Sequence, residues 1–123
     1  MDKEQAIHDF WSGFGIPAYD EFSVPDGAQM PYITYSVTTG ALGDALMLTG
    51  SVWYHSPSWQ GVTHKVHEIA EFVGQGGHKI KAIDGGYLFL TQGVPFAQRM
   101  SDPGDEMVRR IYIILNAEFF TAY

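Results

Sequence analysis

The 123-residue chain has no cysteine. This excludes a disulfide scaffold, a thiolate zinc site and a cysteine nucleophile, and it leaves the redox compartment open. Basic residues are scarce. Seven Lys and Arg stand against 14 Asp and Glu, for a net charge of −7, and the only basic cluster is Arg109-Arg110. A nucleic-acid-binding module or an anionic membrane surface calls for a positive footprint, which is missing here. Long hydrophobic runs are also absent. The longest strongly apolar stretch is residues 111–115, with Tyr112 inside it, whereas a membrane-spanning helix takes about 20 residues. The polar start Met1-Asp2-Lys3-Glu4-Gln5 lacks the apolar region expected of a secretory leader.

Charged residues make up only 17% of the chain, while hydrophobic residues reach 46% and aromatic residues 15%. Such a composition builds a core and is not that of a disordered chain. So little charge on a small domain also suggests that part of the surface is covered by copies of the chain or by a partner.

Residues 3–14 place Ala6, Ile7, Phe10, Trp11 and Phe14 at helical spacing, and Gly13, Gly15 and Pro17 stop the pattern. Residues 17–31, with Pro17, Pro25, Asp26-Gly27 and Pro31, read as a long loop. Residues 31–39, rich in β-branched and aromatic side chains, read as a strand. A turn is expected at residues 40–44 and a second strand at 46–55, interrupted by Gly50. Ser56-Pro57 is a helix start signal. Trp59, Val62, Val66, Ile69 and Val73 follow on one face, and Gly74, Gly76 and Gly77 end the helix. Residues 78–82 and 87–92 read as strands joined at Ile83-Asp84-Gly85-Gly86, and residues 93–105 as a loop. The last strand, from about Met107 to Thr121, puts Ile111, Ile113, Leu115, Ala117 and Phe119 on one face, with Arg110, Tyr112, Asn116 and Glu118 on the other.

The expected architecture is therefore a single α+β domain over residues 1–123. It has an antiparallel or mixed sheet of about four to five strands with two packed helices, in the order α-β-β-α-β-β-β.

Motifs for chemistry are weak. His64, His67, Glu68 and Glu71 form one stripe of the second helix. It lies opposite the apolar stripe, so a solvated face is favoured over a metal site, and the order H-x-x-H-E is not that of the zinc-protease helix. Asp102-Pro103-Gly104-Asp105-Glu106 is a dense acidic turn without the register of a calcium loop. No phosphate loop, nucleophile elbow or placeable triad is present. The expectation is no catalytic residue, no cofactor and no metal. Tyr32, Tyr35, Trp53, Tyr54 and Trp59 are expected to supply core and subunit contacts rather than a ligand pocket.

Several strings, in order, are similar to those of phage tail terminator proteins. Pro31-Tyr32-Ile33-Thr34-Tyr35 resembles that family's Pro-aromatic-x-x-Tyr strand, and the helix opening at Ser56-Pro57 resembles the one after its first hairpin. Gly93-Val94-Pro95-Phe96, Asp105-Glu106 and Arg110-Ile111-Tyr112-Ile113, ending in Phe119-Phe120, resemble its final hairpin. The resemblance covers roughly residues 30–121.

It implies a structural virion protein that forms a hexameric ring. The ring caps the head-proximal end of the tail tube, ends tube polymerisation and provides the joint to the head connector. The implied partners are copies of itself, the tail tube protein and the head completion protein, with DNA a transient passenger and no membrane. The implied location is the virion, at the head–tail interface, after synthesis in the bacterial cytoplasm. Asp102, Asp105 and Glu106 are then expected to face the channel or the neighbouring ring. Tyr32, Tyr35, Val37, Ile111 and Ile113 are candidates for subunit-interface or core strand positions. The alternatives are a head–tail joining or tail completion connector and, from a different class, a small ligand- or metal-binding domain or enzyme using the His64/His67 face.

Overall fold

The computed structural model describes residues 3–36, 45–74, 76–83 and 86–121. Val37, the turn expected at 40–44 and the Asp84-Gly85 turn lie outside the described residues, as do the side chains of Phe119 and Phe120. The elements in chain order are α1 (Lys3–Trp11), a 3-10 turn (Ser12–Phe14), β1 (Ala18–Asp20), β2 (Tyr32–Tyr35), β3 (Ala45–His55), α2 (Gln60–Val73), β4 (His78–Ile83), β5 (Gly86–Met100) and β6 (Val108–Thr121). The strands form one mixed sheet in the order β1-β2-β3-β6-β5-β4. Among the described strands only β1 and β2 run parallel; the other neighbours are antiparallel. The fold is α+β, as the sequence predicts, with one strand more than expected.

That extra strand is β1, which falls within the expected loop. It is three residues long and exists because β2 offers it an edge. Ile33 N–H donates to the Pro17 carbonyl at 2.8 Å and Glu21 N–H to the Tyr35 carbonyl at 2.9 Å. The segment after Gln92 is a second departure. It continues as β5 rather than forming a loop, and the register with β6 shifts between Gln92 and Ala97. Gly93 allows this shift. A Cβ there would lie 2.6 Å from the Ile114 carbonyl oxygen, so only glycine lets the strands lie this close. Pro95, which has no N–H to donate, sits where the ladder is already broken.

α2 begins three residues later than the Ser-Pro signal suggests. Ser56 Oγ accepts from Ser58 N–H and Ser58 Oγ from Gln60 N–H, at 3.1 and 3.0 Å. The two hydroxyls thus stabilise local turns before the helix starts. Ser56 N–H is meanwhile bonded to the Met107 carbonyl at 2.8 Å, which holds the segment against the β5–β6 loop.

Both helices cover one face of the sheet. Ala6, Ile7, Phe10, Trp11 and Phe14 from the first helical segment are buried, as are Val62, Val66, Ile69 and Val73 from α2. They pack on Ile33, Tyr35, Leu48, Val52, Leu88, Leu90, Ile111, Ile113, Leu115 and Ala117. The alternation expected for the last strand is realised in β6, with every second residue from Ile111 to Ala117 buried. Lys65 Nζ donates to the Phe14 carbonyl at 2.6 Å and pairs with Glu68 at 3.2 Å. This ties the end of the first helical segment to α2.

Registers align the strands in rows across the sheet. Ala18, Ile33, Val52, Ile111 and Arg99 share one row. Tyr19, Thr34, Ser51, Tyr112 and Gln98 share the next, and Asp20, Tyr35, Gly50, Ile113 and Ala97 the one after. The strands that carry the interface candidates Tyr32, Ile111 and Ile113 are not edges of the sheet. In the sheet both are interior: β6 pairs with β3 and β5, and β2 pairs with β1 and β3.

Candidate assembly surface

The face of the sheet away from the helices carries no covering element among the described residues. Its upper rows hold an ordered aromatic ladder. Tyr32 stands opposite Trp53, and Trp53 opposite Arg110. Tyr19 meets Tyr32 edge-on at 5.8 Å between centroids, and Tyr32 lies 6.3 Å from Trp53. Trp53 Nε1 donates to Thr34 Oγ1 at 2.8 Å, which fixes the indole. The Arg110 guanidinium sits 4.5 Å from the Trp53 ring centroid and donates through Nε to Ser51 Oγ at 3.0 Å. Ser51 is buried, so this bond is shielded from water. The result is a rigid, half-exposed surface of aromatic rings around one immobilised cation. Such a surface loses little side-chain entropy on contact.

The candidate interface residues therefore separate. Tyr35, Ile111 and Ile113 are core, at 5%, 5% and 0% exposure, while Tyr32 belongs to the open ladder. The Tyr35 hydroxyl bonds His8 Nδ1 at 2.7 Å. Its pKa is raised, first by burial and then by the nearby charges of Asp20 and Glu4.

The acidic turn is organised by its own carboxylates. Asp102 Oδ1 accepts from Gly104 N–H at 2.8 Å, and Asp105 Oδ1 from Met107 N–H at 2.8 Å. Asp105 Oδ2 meets His55 Nε2 at 3.0 Å, joining the turn to the end of β3. Glu106 is exposed. The backbone N–H of Met107, and then the His55 hydrogen bond, hold the Asp105 carboxyl below the ordinary aspartate range. A carboxyl whose folded pKa is depressed stabilises the fold above its unfolded value. That contribution is lost as pH falls through the folded value. The expected result is an Asp105 carboxyl that titrates by NMR below free aspartate, with the Met107 amide shift following the same curve. A midpoint at or above the free value would contradict the turn geometry.

On the helix side, Trp59 lies under two guanidinium groups, Arg99 at 4.7 Å and Arg109 at 5.2 Å. Arg109 is fixed by bonds to the Ser56 and Pro57 carbonyls, both at 3.0 Å. A shallow groove of about 600 Å³ runs past Trp59, Thr63, His64, His67 and Arg99. His64 and His67 are exposed and lie 3.6 and 3.0 Å from Glu68 and Glu71, one helical turn on. These are i,i+4 pairs on a solvated face. Among the described residues, no group of three or more His, Asp or Glu could hold a metal ion. No described helix is long and apolar enough to cross a membrane.

Sequence reasoning found the aromatic residues but not their assembly into one ladder. Nor did it find Arg110 as the ladder's cation or the His55–Asp105 link, both of which depend on strand register. No protein-family model matches the chain, and neither a curated protein nor a solved structure does.

Proposed function

We propose that this chain is a structural protein of a phage tail, of the terminator kind. Six copies close into a ring on the head-proximal end of the tail tube, end its polymerisation and present the joint to the head connector. The observation that carries this reading is the uncovered sheet face, a preorganised aromatic surface suited to protein contact. The low charge and the order of elements agree with it. In this reading the protein is not an enzyme, takes no cofactor and resides in the virion. DNA passes through as a transient passenger, and the acidic turn at Asp102, Asp105 and Glu106 faces the channel or the next ring. Negative side chains there would repel the phosphate backbone rather than hold it.

Native mass by light scattering, over a range of concentrations and with purified tail tubes present, tests the proposal. The expected result is six copies of the 13.7 kDa chain, about 82 kDa, in solution or on tube ends. A monomer under every condition, with no binding to tubes, would overturn it. A head–tail joining role would show instead as a ring that binds connectors and leaves tube ends free. The groove beside His64 and His67 gives a ligand-binding reading its place. Metal analysis and a thermal-shift screen test that reading separately.

A further inference from the structure

The two free edges of the sheet match each other. On one side the edge strand is β1, three residues long. On the other side β4 covers only part of β5, because its register with β5 ends at His78 opposite Leu90. Beyond the bulge, Ala97–Met100 pair with β6 alone. Among the described residues they have no strand partner on their other side. The rows given above place Ala18, Tyr19 and Asp20 at the same level as Arg99, Gln98 and Ala97, with the three strands β2, β3 and β6 between them. β4 lies at other rows and leaves a notch at that level.

We infer that β1 of one copy enters this notch in the next, so that the sheet continues across the subunit boundary. The inference rests on the self-assembly reading above and places the contact between copies at the sheet edges rather than on the aromatic face. Continuing the sheet in the same sense sets β1 antiparallel to β5. Keeping the rows pairs Ala18 with Arg99, Tyr19 with Gln98 and Asp20 with Ala97. Asp20 and Arg99 then become diagonal cross-strand neighbours of opposite charge. Farther along, Phe22 runs toward the Val94-Pro95 bulge. Phe22 and Val94 are the two most exposed large hydrophobic residues among those described, at 88% and 98%. A patch on one edge thus meets a different patch on the opposite edge. Such heterologous contact closes into a ring when its rotation permits. Short edges of this kind give specificity without offering a long template for aggregation.

The chain has no cysteine, so introduced thiols report without background. Directly opposed residues in an antiparallel pair have Cα atoms about 4.5–5.5 Å apart, within disulfide reach. Tyr19→Cys with Gln98→Cys, oxidised at assembly concentration, is expected to give a covalent ladder rising to six chains. Each single variant should give none. Phe22→Cys with Val94→Cys, joined by a short bifunctional thiol reagent, makes the same test at two exposed positions where folding is not at risk. Asp20→Lys should weaken assembly roughly fivefold, and adding Arg99→Asp should restore it.

A hexameric mass with no ladder from either pair would overturn the edge contact and leave the ring standing. Dimers from the single variants would overturn it in favour of a two-fold contact. A monomer in solution and on tubes would overturn both the contact and the function it rests on.

Discussion

Ile113→Asp is expected to leave no cooperatively folded protein. Ile113 is fully buried on β6, between Gly50 and Ala97 in the register, under the helices. The substitution removes about 2 kcal/mol of apolar burial. It also leaves a carboxyl with no partner, which must stay charged at high cost or bind a proton. The total lies at or beyond about 4–5 kcal/mol, the upper end for single substitutions. That is comparable with the whole stability of many domains. Glu118→Gln, exposed on the open side of the same strand, is the control and should stay within about 0.5 kcal/mol. Circular dichroism and urea unfolding measure both. An Ile113→Asp protein that unfolds cooperatively near the parent midpoint would contradict the assignment of this face to the core.

Trp11→Ala should cost about 3–5 kcal/mol, and Trp11→Phe far less. The Trp11 side chain is fully buried. Its ring stacks with Tyr35 at 6.5 Å, meets Phe10 edge-on at 4.9 Å and lies over Gly50. A Cβ at Gly50 would come within 2.8 Å of Trp11 Cη2. The indole therefore occupies the space that a side chain on β3 would fill. Among the described residues Trp11 Nε1 has no hydrogen-bond partner, and a buried donor left unpaired costs about 1–3 kcal/mol. Phenylalanine gives up some contact area but removes that orphan, which separates the two variants. Gly50→Ala should destabilise the parent and be tolerated better beside Trp11→Phe. Urea unfolding of this double-mutant cycle measures the coupling. Additive effects would mean that the two positions do not share one space.

The helices and β6 were legible because each carries a period. Phe10, Trp11 and Phe14 repeat at three and four, and Ile111, Ile113 and Leu115 at two, and burial follows these periods. β1 has no such period. Three residues near Pro17 acquire strand geometry only because β2 lies beside them, and sequence does not display that neighbour. β5 was obscured by its own punctuation. Gly93 and Pro95 read as a loop, yet the glycine allows close approach to Ile114 and the proline sits in the register shift.

Strand order was the least legible property. The last strand in the chain is interior, and the exposed edges fall to β1, to β4 and to the part of β5 that β4 leaves uncovered. Both are consequences of pairings between distant segments. The aromatic surface is hidden for the same reason: its residues are scattered along the chain, and only the register places Tyr32, Trp53 and Arg110 in one row.

The interior position of β6 bears on how the chain is made. β1, β2 and β3 form one group of strands and β4 and β5 another, and β6 alone joins them. Because β6 follows both groups in the chain, a ribosome must deliver residues 108–121 before the halves can become one sheet. Until then each half exposes an apolar face and a bare strand edge, which are the surfaces that chaperones hold and that aggregate when crowded. Closure of the sheet is therefore a late event dominated by distant contacts, and such topologies fold slowly.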